Sequence, residues 1–301
     1  MHVESKTYRV LITGANSYIG TSFENWIKDN CRDVITKTID LRKDSWQEES
    51  FSGYDAVFHV AGIAHADVGG ASEEQKALYY QVNTELTARC AEKAKTDGVG
   101  QFIFMSSMIV YGESAGIGTA RMITRDTAAV PANFSGDSTL KAEEKLLKLE
   151  TDAFRIVILR PPMIYGRGSK GNYPLLAKMA AKLPFFPKIS NQRSMLYVGN
   201  LCRFVYLMVR NRERGIFFPQ NSEYVCTSDM VKEIAAVKGR RIYLWRCFNP
   251  FLRLAGHLGG WIGGLANKAF GNMTYEKTMS EYKEEYRIYD FRESVRLTER
   301  E

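Results

Sequence analysis

The strongest constraint on the fold is an alternation of short apolar runs with stretches of helical periodicity. Tyr8–Thr13 (YRVLIT) is the first run, and a helical stretch from about Tyr18 to Asn30 follows it. Val34–Leu41, Asp55–Ala61, Gln101–Ser106 and Phe154–Arg160 repeat the apolar pattern. Ser72-Glu-Glu-Gln75 reads as a capping box opening a helix to about Lys95, and Thr139–Glu150 reads as another helix. Short apolar strands separated by helices predict an α/β fold: a Rossmann-like doubly wound parallel sheet covered on both faces.

After Arg160 the pattern changes. Pro161, Pro162, Pro174, Pro184 and Pro187 fall within 27 residues, and short elements then alternate irregularly. The expected division is a dinucleotide-binding domain over 1–160 and a smaller C-terminal substrate-binding lobe over 161–301. Residues from about 189 to 215 are expected to return to the first domain. A chain of 301 residues with 45% hydrophobic content has ample core for this plan.

Several function classes are excluded. Five scattered cysteines without a Cys-x-x-Cys pair, and only four histidines, argue against a disulfide framework or a metal site. The first residues lack the apolar core of a signal peptide, so a reducing cytoplasmic compartment is expected. The net charge of +7 is read as spread along the chain, either as a solvated surface or as attraction for an anionic ligand such as a nucleotide. No basic block interleaved with aromatics suggests a nucleic-acid groove. Leu244–Phe270 is apolar and glycine-rich, but Arg246, Arg253, His257, Lys268 and Pro250 interrupt it. It lacks the roughly 20 uncharged residues of a membrane span. A core helix of the smaller lobe is the preferred reading, so no membrane contact is expected; an interfacial or partner-binding helix is the alternative.

The chemistry begins at Thr13-Gly-Ala-Asn-Ser-Tyr-Ile-Gly20, which joins the first strand to the first helix. Gly14 permits a tight turn there, and the helix N-terminus then faces a pyrophosphate. Asp40 ends an apolar run 26 residues after Gly14. An acid at that place would either hold the adenosine ribose hydroxyls or contact adenine from the next strand end; it favours NAD over NADP, although Lys37, Arg42 and Lys43 lie close by.

With these residues the chain resembles the extended short-chain dehydrogenase/reductase family, in its nucleotide-sugar epimerase and dehydratase branch. The family fingerprint is Thr-Gly-x-x-Gly-x-x-Gly, and Ser17 stands where its middle glycine would be. The resemblance implies NAD contacts at Gly14, Asn16, Ser17, Tyr18, Ile19, Gly20, Asp40 and Leu41. It extends them to Val60-Ala61-Gly62, after the strand it counts as fourth, and to Thr139 and Pro161. Ser106-Ser-Met-Ile-Val-Tyr-Gly112 matches the family's Ser-Ser-x-x-Val-Tyr-Gly, which makes Ser107 the hydroxyl that bonds the sugar 4-oxygen. Asn83 matches an asparagine that supports the active-site region. Asn83, Met108, Met163, Asn172, Tyr173 and Arg193 are the implied substrate-binding set, with Asn172 and Arg193 on a UDP diphosphate. A homodimer built on two helices per subunit, about Ser72–Lys95 and Thr139–Glu150, is also implied by the resemblance.

One departure stands at the family's signature, Tyr-x-x-x-Lys. In the family the lysine lowers the tyrosine pKa, and the tyrosinate acts as acid and base. Here the stretch reads Asn133-Phe-Ser-Gly-Asp-Ser-Thr-Leu-Lys-Ala-Glu143, with Gly136, Ser138, Ala142 and Glu143 in register. Ser135 then takes the tyrosine position and Thr139 the lysine position. Lys141 lies roughly 200° around the helix from Thr139. The expected function is NAD-dependent 4-epimerisation of a UDP-sugar, with turnover weak or absent. The alternatives are a catalytically silent nucleotide-sugar binder, an NAD(P)-dependent keto-sugar reductase, or a residual reaction using Tyr111 or Asp137 as base.

Overall fold

The computed structural model describes residues 6–63, 70–250, 252, 267 and 269–300. The chain opens with β1 (Tyr8–Thr13), α1 (Tyr18–Asn30), β2 (Val34–Ile39) and β3 (Ala56–His59). It continues through α2 (Glu73–Tyr79), α3 (Thr87–Thr96), β4 (Gln101–Met105), β5 (Met122–Ile123), α4 (Phe134–Leu149) and β6 (Arg155–Leu159). Then come β7 (Met163–Tyr165), α5 (Asn172–Lys182), β8 (Phe185–Pro187), β9 (Met195–Tyr197), α6 (Val198–Arg210) and β10 (Gly215–Phe217). The remaining described elements are α7 (Thr227–Val237), β11 (Tyr243–Trp245), β12 (Thr274–Tyr275) and a last helix, α8 (Phe291–Glu299). Most of Leu244–Phe270 lies outside the described residues.

The first unit gathers residues 1–110, 129–161 and 201–219. Its centre is a parallel sheet of order β10-β6-β4-β3-β1-β2. The apolar runs form strands because both faces are covered: Val10, Leu11, Ile12 and Thr13 are at most 1% exposed. One face packs Leu11, Val57, Phe102, Phe104, Ile156 and Ile158 beneath Ala91, Ala142 and Leu146 of the helices. On the other, Phe23 of α1 meets Phe58 edge-on at 5.2 Å. Ser17 caps α1, its Oγ accepting from Gly20 N at 3.1 Å. The capping box at Ser72 and Gln75 forms as the sequence implies.

Four expectations need correction. The helix from Ser72 is not uniform: Tyr80–Leu86 is a π-helical insert between α2 and α3. Its wider turn lets Asn83 and Thr84 reach neighbouring backbone, as the site geometry below shows. Helix α4 begins at Phe134, five residues before Thr139, because Asn133 caps it by accepting from Ser135 N and Gly136 N, each at 3.1 Å. Gly136 is tolerated there because a Cβ would meet Ile109 O at 2.8 Å, so close packing offsets its poor helix propensity. Val60 follows the third strand in chain order; between β2 and β3 only a 3-10 turn, Asp44–Gln47, intervenes. Residues 111–128 belong to the second unit rather than the first, because β5 pairs with β12.

The second unit gathers residues 111–128, 162–200 and 220–301. Its strands form three parallel pairs, β7 with β9, β5 with β12 and β8 with β11. Buried polar side chains tie it together. Tyr165 Oη and Ser294 Oγ share a 2.6 Å hydrogen bond, and Asn221 Nδ2 donates to Tyr165 Oη at 3.0 Å.

His59, at the end of β3, is fully buried in the first unit. Its Nδ1 bonds Thr13 Oγ1 at 2.7 Å and its Nε2 bonds Thr87 Oγ1 at 3.0 Å, while the ring stacks on Phe102. Burial pushes the imidazole down to about 3, so it stays neutral. The unfolded chain binds this proton near pH 6.5 and the folded chain does not, so stability falls as pH drops from about 6.5 toward 3. Chemical denaturation between pH 6 and 4 should show His59→Gln with a shallower slope, by about one proton or ~1.4 kcal/mol per pH unit.

Candidate functional site

The turn between β1 and α1 is shaped by Gly14, whose φ of 122° only glycine adopts readily. A Cβ at Gly14 would lie 2.8 Å from Ala61 N and 3.0 Å from Ala61 Cα, so the turn lies flat on the segment after β3. Asn16 also has positive φ, at 61°, and the chain then enters α1. These features place the first-turn amides and the positive end of the helix dipole at the end of the sheet. The residues present therefore fit a dinucleotide diphosphate. The Ser17 hydroxyl caps α1 through Gly20 N. The cap also requires Gly20, where a Cβ would meet Ser17 Oγ at 2.6 Å.

Asp40 lies at the end of β2, bound to Arg42. Arg42 Nη2 donates to Asp40 Oδ2 at 2.6 Å and Nε to both oxygens at 2.9 and 3.0 Å. Arg42 N adds a fourth contact at 3.0 Å. The Arg42 guanidinium holds the Asp40 carboxyl down at about 2. Leu41 points into the sheet's core, 6% exposed. Val60 and Ala61 are half-buried and Gly62 is exposed.

Ser107 follows β4. Its Oγ accepts from Ile109 N at 3.3 Å, and the adjacent Met108 N donates to Pro161 O at 2.9 Å. Met108 itself is 8% exposed. The first turn of α4 abuts this segment at Gly136 against Ile109 O. Ser135 and Thr139 stand one turn apart on α4. Thr139 Oγ1 donates to Ser135 O at 2.9 Å, and Ser135 is 8% exposed. The structure thus brings Ser107's segment and the Ser135 turn together.

Asn83 serves this region through backbone. Its Oδ1 accepts from Ile63 N at 2.7 Å, and its Nδ2 donates to Ile63 O at 3.1 Å and Ser138 Oγ at 3.4 Å. Thr84 Oγ1 donates to Ser138 O at 2.7 Å. Both side chains come from the π-helical insert, so Asn83 is a positioning residue between the segment after β3 and α4.

Lys141 is engaged elsewhere. Its Nζ lies 2.7 Å from Asp137 Oδ2 and 4.8 Å from the Tyr80 ring centroid. Tyr80 Oη donates to Asp137 at 2.6 Å. Burial raises the Asp137 carboxyl, but the hydrogen bonds from Lys141 and Tyr80 outweigh it and leave the group below its ordinary value.

A buried ion pair that sequence reasoning missed anchors α4. Glu143 is 1% exposed and receives Arg160 Nε at 3.1 Å on both oxygens and Nη2 at 2.5 Å. Ser106 Oγ donates to the same carboxylate. The signal was an acid on the inner face of α4 with an arginine ending an apolar strand.

In the second unit, Met163, Asn172 and Arg193 line one cleft with Leu175, Leu176, Met195, Thr227 and Ala269. Arg193 backbone bonds Val225 on both sides, at 3.1 and 2.9 Å. Burial pulls its guanidinium below its ordinary value. Tyr173 is not part of that cleft. It is 3% exposed, stacks on Tyr165 at 5.5 Å and donates to Glu299 at 2.8 Å. Its expected place beside a sugar is thus taken by a core contact, because position 173 of α5 faces inward.

The sheet order and the glycine turn define a Rossmann-type dinucleotide-binding protein. The chain belongs to the NAD dependent epimerase/dehydratase family, which it matches over residues 10–218. It is 28% identical over 273 residues to UDP-glucose 4-epimerase of Vibrio cholerae, covering 82% of each chain. It is 30% identical over 223 residues to the N-acetyl-alpha-D-glucosaminyl-diphospho-ditrans,octacis-undecaprenol 4-epimerase of Escherichia coli O157:H7, covering 68% of this chain and 64% of that one. The structure of RMD from Pseudomonas aeruginosa complexed with NADPH superposes with a TM-score of 0.72 at 16% identity, covering 97% of this chain and 98% of that one. Among the described residues no helix is long and apolar enough to cross a membrane, and no group of His, Cys, Asp or Glu is placed to hold a metal.

Replacing Glu143 with Ala removes the carboxylate against which Arg160 is buried. Urea denaturation should show a loss of about 3–5 kcal/mol. Glu143→Gln keeps the acceptor oxygen and should cost less.

Proposed function

We propose that the chain is a scaffold for NAD-linked 4-epimerisation of a UDP-sugar, with turnover weak or absent. The observation that carries this reading is the first two turns of α4. They bear Ser135 and Thr139, one turn apart, with the Thr139 Oγ1 hydroxyl donating back to Ser135 O. A serine hydroxyl has a pKa far above neutrality and is too short to replace a phenol. A threonine supplies no charge to lower that pKa. Lys141 does not substitute, because it faces Asp137 and Tyr80. Asp137, hydrogen-bonded by both, is a poor base. Ser107 would polarise the sugar 4-oxygen, and Asn172 and Arg193 would bind the diphosphate that carries the sugar.

The residues proposed for the cofactor are Gly14, Asn16, Ser17, Tyr18, Ile19 and Gly20 at the diphosphate, and Asp40 at the adenosine ribose. Val60, Ala61, Gly62, Thr139 and Pro161 complete the set. Held by these residues, NAD would supply the reversible hydride acceptor that inversion at sugar C4 requires. A cytoplasmic setting and a homodimer belong to the same reading.

A second reading concerns the carrier. The 30% identity to an epimerase named for an undecaprenol-diphosphate substrate favours a polyprenyl diphosphate as an alternative to UDP. Both carriers present the sugar on a diphosphate. The missing acid–base pair also favours a silent nucleotide-sugar binder over a reductase, since reduction needs a proton donor at the same place.

The test is an NMR time course with UDP-glucose and UDP-N-acetylglucosamine, in the presence of NAD. The native chain runs beside Ser135→Tyr/Thr139→Lys. Turnover is expected only in the restored form, at least about 10²-fold above the native chain. Absence of turnover and of sugar-nucleotide binding in both forms would overturn the reading. A second measurement addresses the cofactor. Releasing Asp40 by Arg42→Ala should shift binding toward NAD and away from NADP, read by isothermal titration with each.

A further inference from the structure

The positive charge is not spread evenly. Residues 153–212 and 234–275 together hold 17 Lys or Arg and no Asp or Glu, which leaves the rest of the chain net negative. The two strands of one small sheet in the second unit, β8 and β11, come one from each of these stretches. They are parallel, with Phe185 beside Tyr243, Phe186 beside Leu244 and Pro187 beside Trp245. Lys188 N donates to Trp245 O and Tyr243 N to Pro184 O, each at 2.9 Å, which fixes the pairing.

Side chains alternate across such a pair. The inner face is covered: Phe186 is 1% exposed and its ring lies 5.9 Å from Phe270. The outer face would ordinarily be polar. Here it carries Phe185, Tyr243 and Trp245, which are 38%, 54% and 45% exposed. Their rings form a cluster, with Phe185 4.1 Å from Trp245 and 6.1 Å from Tyr243. Leu183, 38% exposed, extends the patch just ahead of β8.

Cations bracket both strands. Lys182 and Lys188 flank β8, and Arg240, Arg241 and Arg246 flank β11; all five are exposed. Among the described residues none of the five is in an ion pair, whereas the neighbouring Lys238 is bound to Glu299 at 2.6 Å.

We propose that the outer face of the β8–β11 sheet docks on an anionic lipid bilayer, with Phe185, Tyr243 and Trp245 at headgroup level and the flanking cations on lipid phosphates. Tyr and Trp favour the membrane–water interface, because one end of each ring is apolar and the other wet. Lys and Arg near an anionic leaflet add attraction that salt weakens. The charge selects this occupant over a second copy of the chain, since a two-fold contact would set like charges against each other. The absence of a spanning helix among the described residues does not bear on this, because interfacial docking needs none. The proposed contact is peripheral and is built on a sheet, not on Leu244–Phe270 as a span.

The experiment is co-sedimentation of the full chain with equimolar phosphatidylglycerol–phosphatidylcholine vesicles and with pure phosphatidylcholine vesicles, at low and high salt. Binding is expected only to the anionic vesicles and is expected to fall with salt. Arg240→Glu/Arg241→Glu should weaken it at least about tenfold, and Tyr243→Ser/Trp245→Ser should abolish it. Circular dichroism should show both variants folded, which separates lost binding from a lost fold. Brominated lipid should quench the native chain's fluorescence more strongly than that of Trp245→Phe. No binding to anionic vesicles at low salt would overturn the proposal, as would binding that both double variants retain. Equally, a dimer or a bound single-stranded oligonucleotide that these substitutions dissolve, without vesicle binding, would assign the face to that occupant instead.

Discussion

The geometry of the first unit depends on one buried ion pair. A carboxylate that is 1% exposed is costly to desolvate unless it is fully bonded, and Glu143 is bonded by Arg160 and Ser106 together. Those three groups come from α4, from the end of β6 and from the end of β4. The pair therefore sets the height of α4 along the sheet. With that height fixed, Gly136 meets Ile109 O and the Ser107 segment lies against the first turn of the helix. The π-helical insert adds the opposite side of the clamp through Asn83 and Thr84.

The clamp is independent of the two positions that the proposed function assigns to the acid–base pair. None of the groups that hold α4 is Ser135 or Thr139. Their hydroxyls occupy a scaffold whose positions are set from elsewhere, and Thr139 is satisfied within its own helix. A similar separation holds at the diphosphate turn. Ser17 spends its hydroxyl on capping α1 through Gly20 N, so the turn is held by its own side chain.

Much of the first unit was legible in the sequence because its strands are buried on both faces and its helices carry clear caps. β1 and α1 fall at the expected residues, and so does the capping box. The start of α4 was not legible, because Ser-Gly-Asp-Ser-Thr is a weak helix former on its own. Its cap, Asn133, and its tight contact at Gly136 are tertiary facts. The π-helical insert leaves no mark in periodicity over so short a span. Strand β10 is three residues long and partly exposed, so it escaped notice. At the site, the motifs identified the segments but not the direction of each side chain. Asn172 and Arg193 do share a cleft, while Tyr173, one residue along α5, points the other way.

The first unit is assembled from three separated stretches of chain, the last being residues 201–219. This has a consequence during synthesis. Until β10 leaves the ribosome, β6 is the open edge of the sheet, and its residues Ile156–Leu159 are wholly apolar and wholly buried in the finished fold. An unpaired edge of that composition is a template for pairing with another nascent chain. Some fifty residues, containing helices α5 and α6 and strands β7, β8 and β9, must be translated before the edge is closed. The growing chain thus passes through a stage at which its most adhesive surface is complete but uncapped, and a fragment ending near Pro161 would be held at that stage.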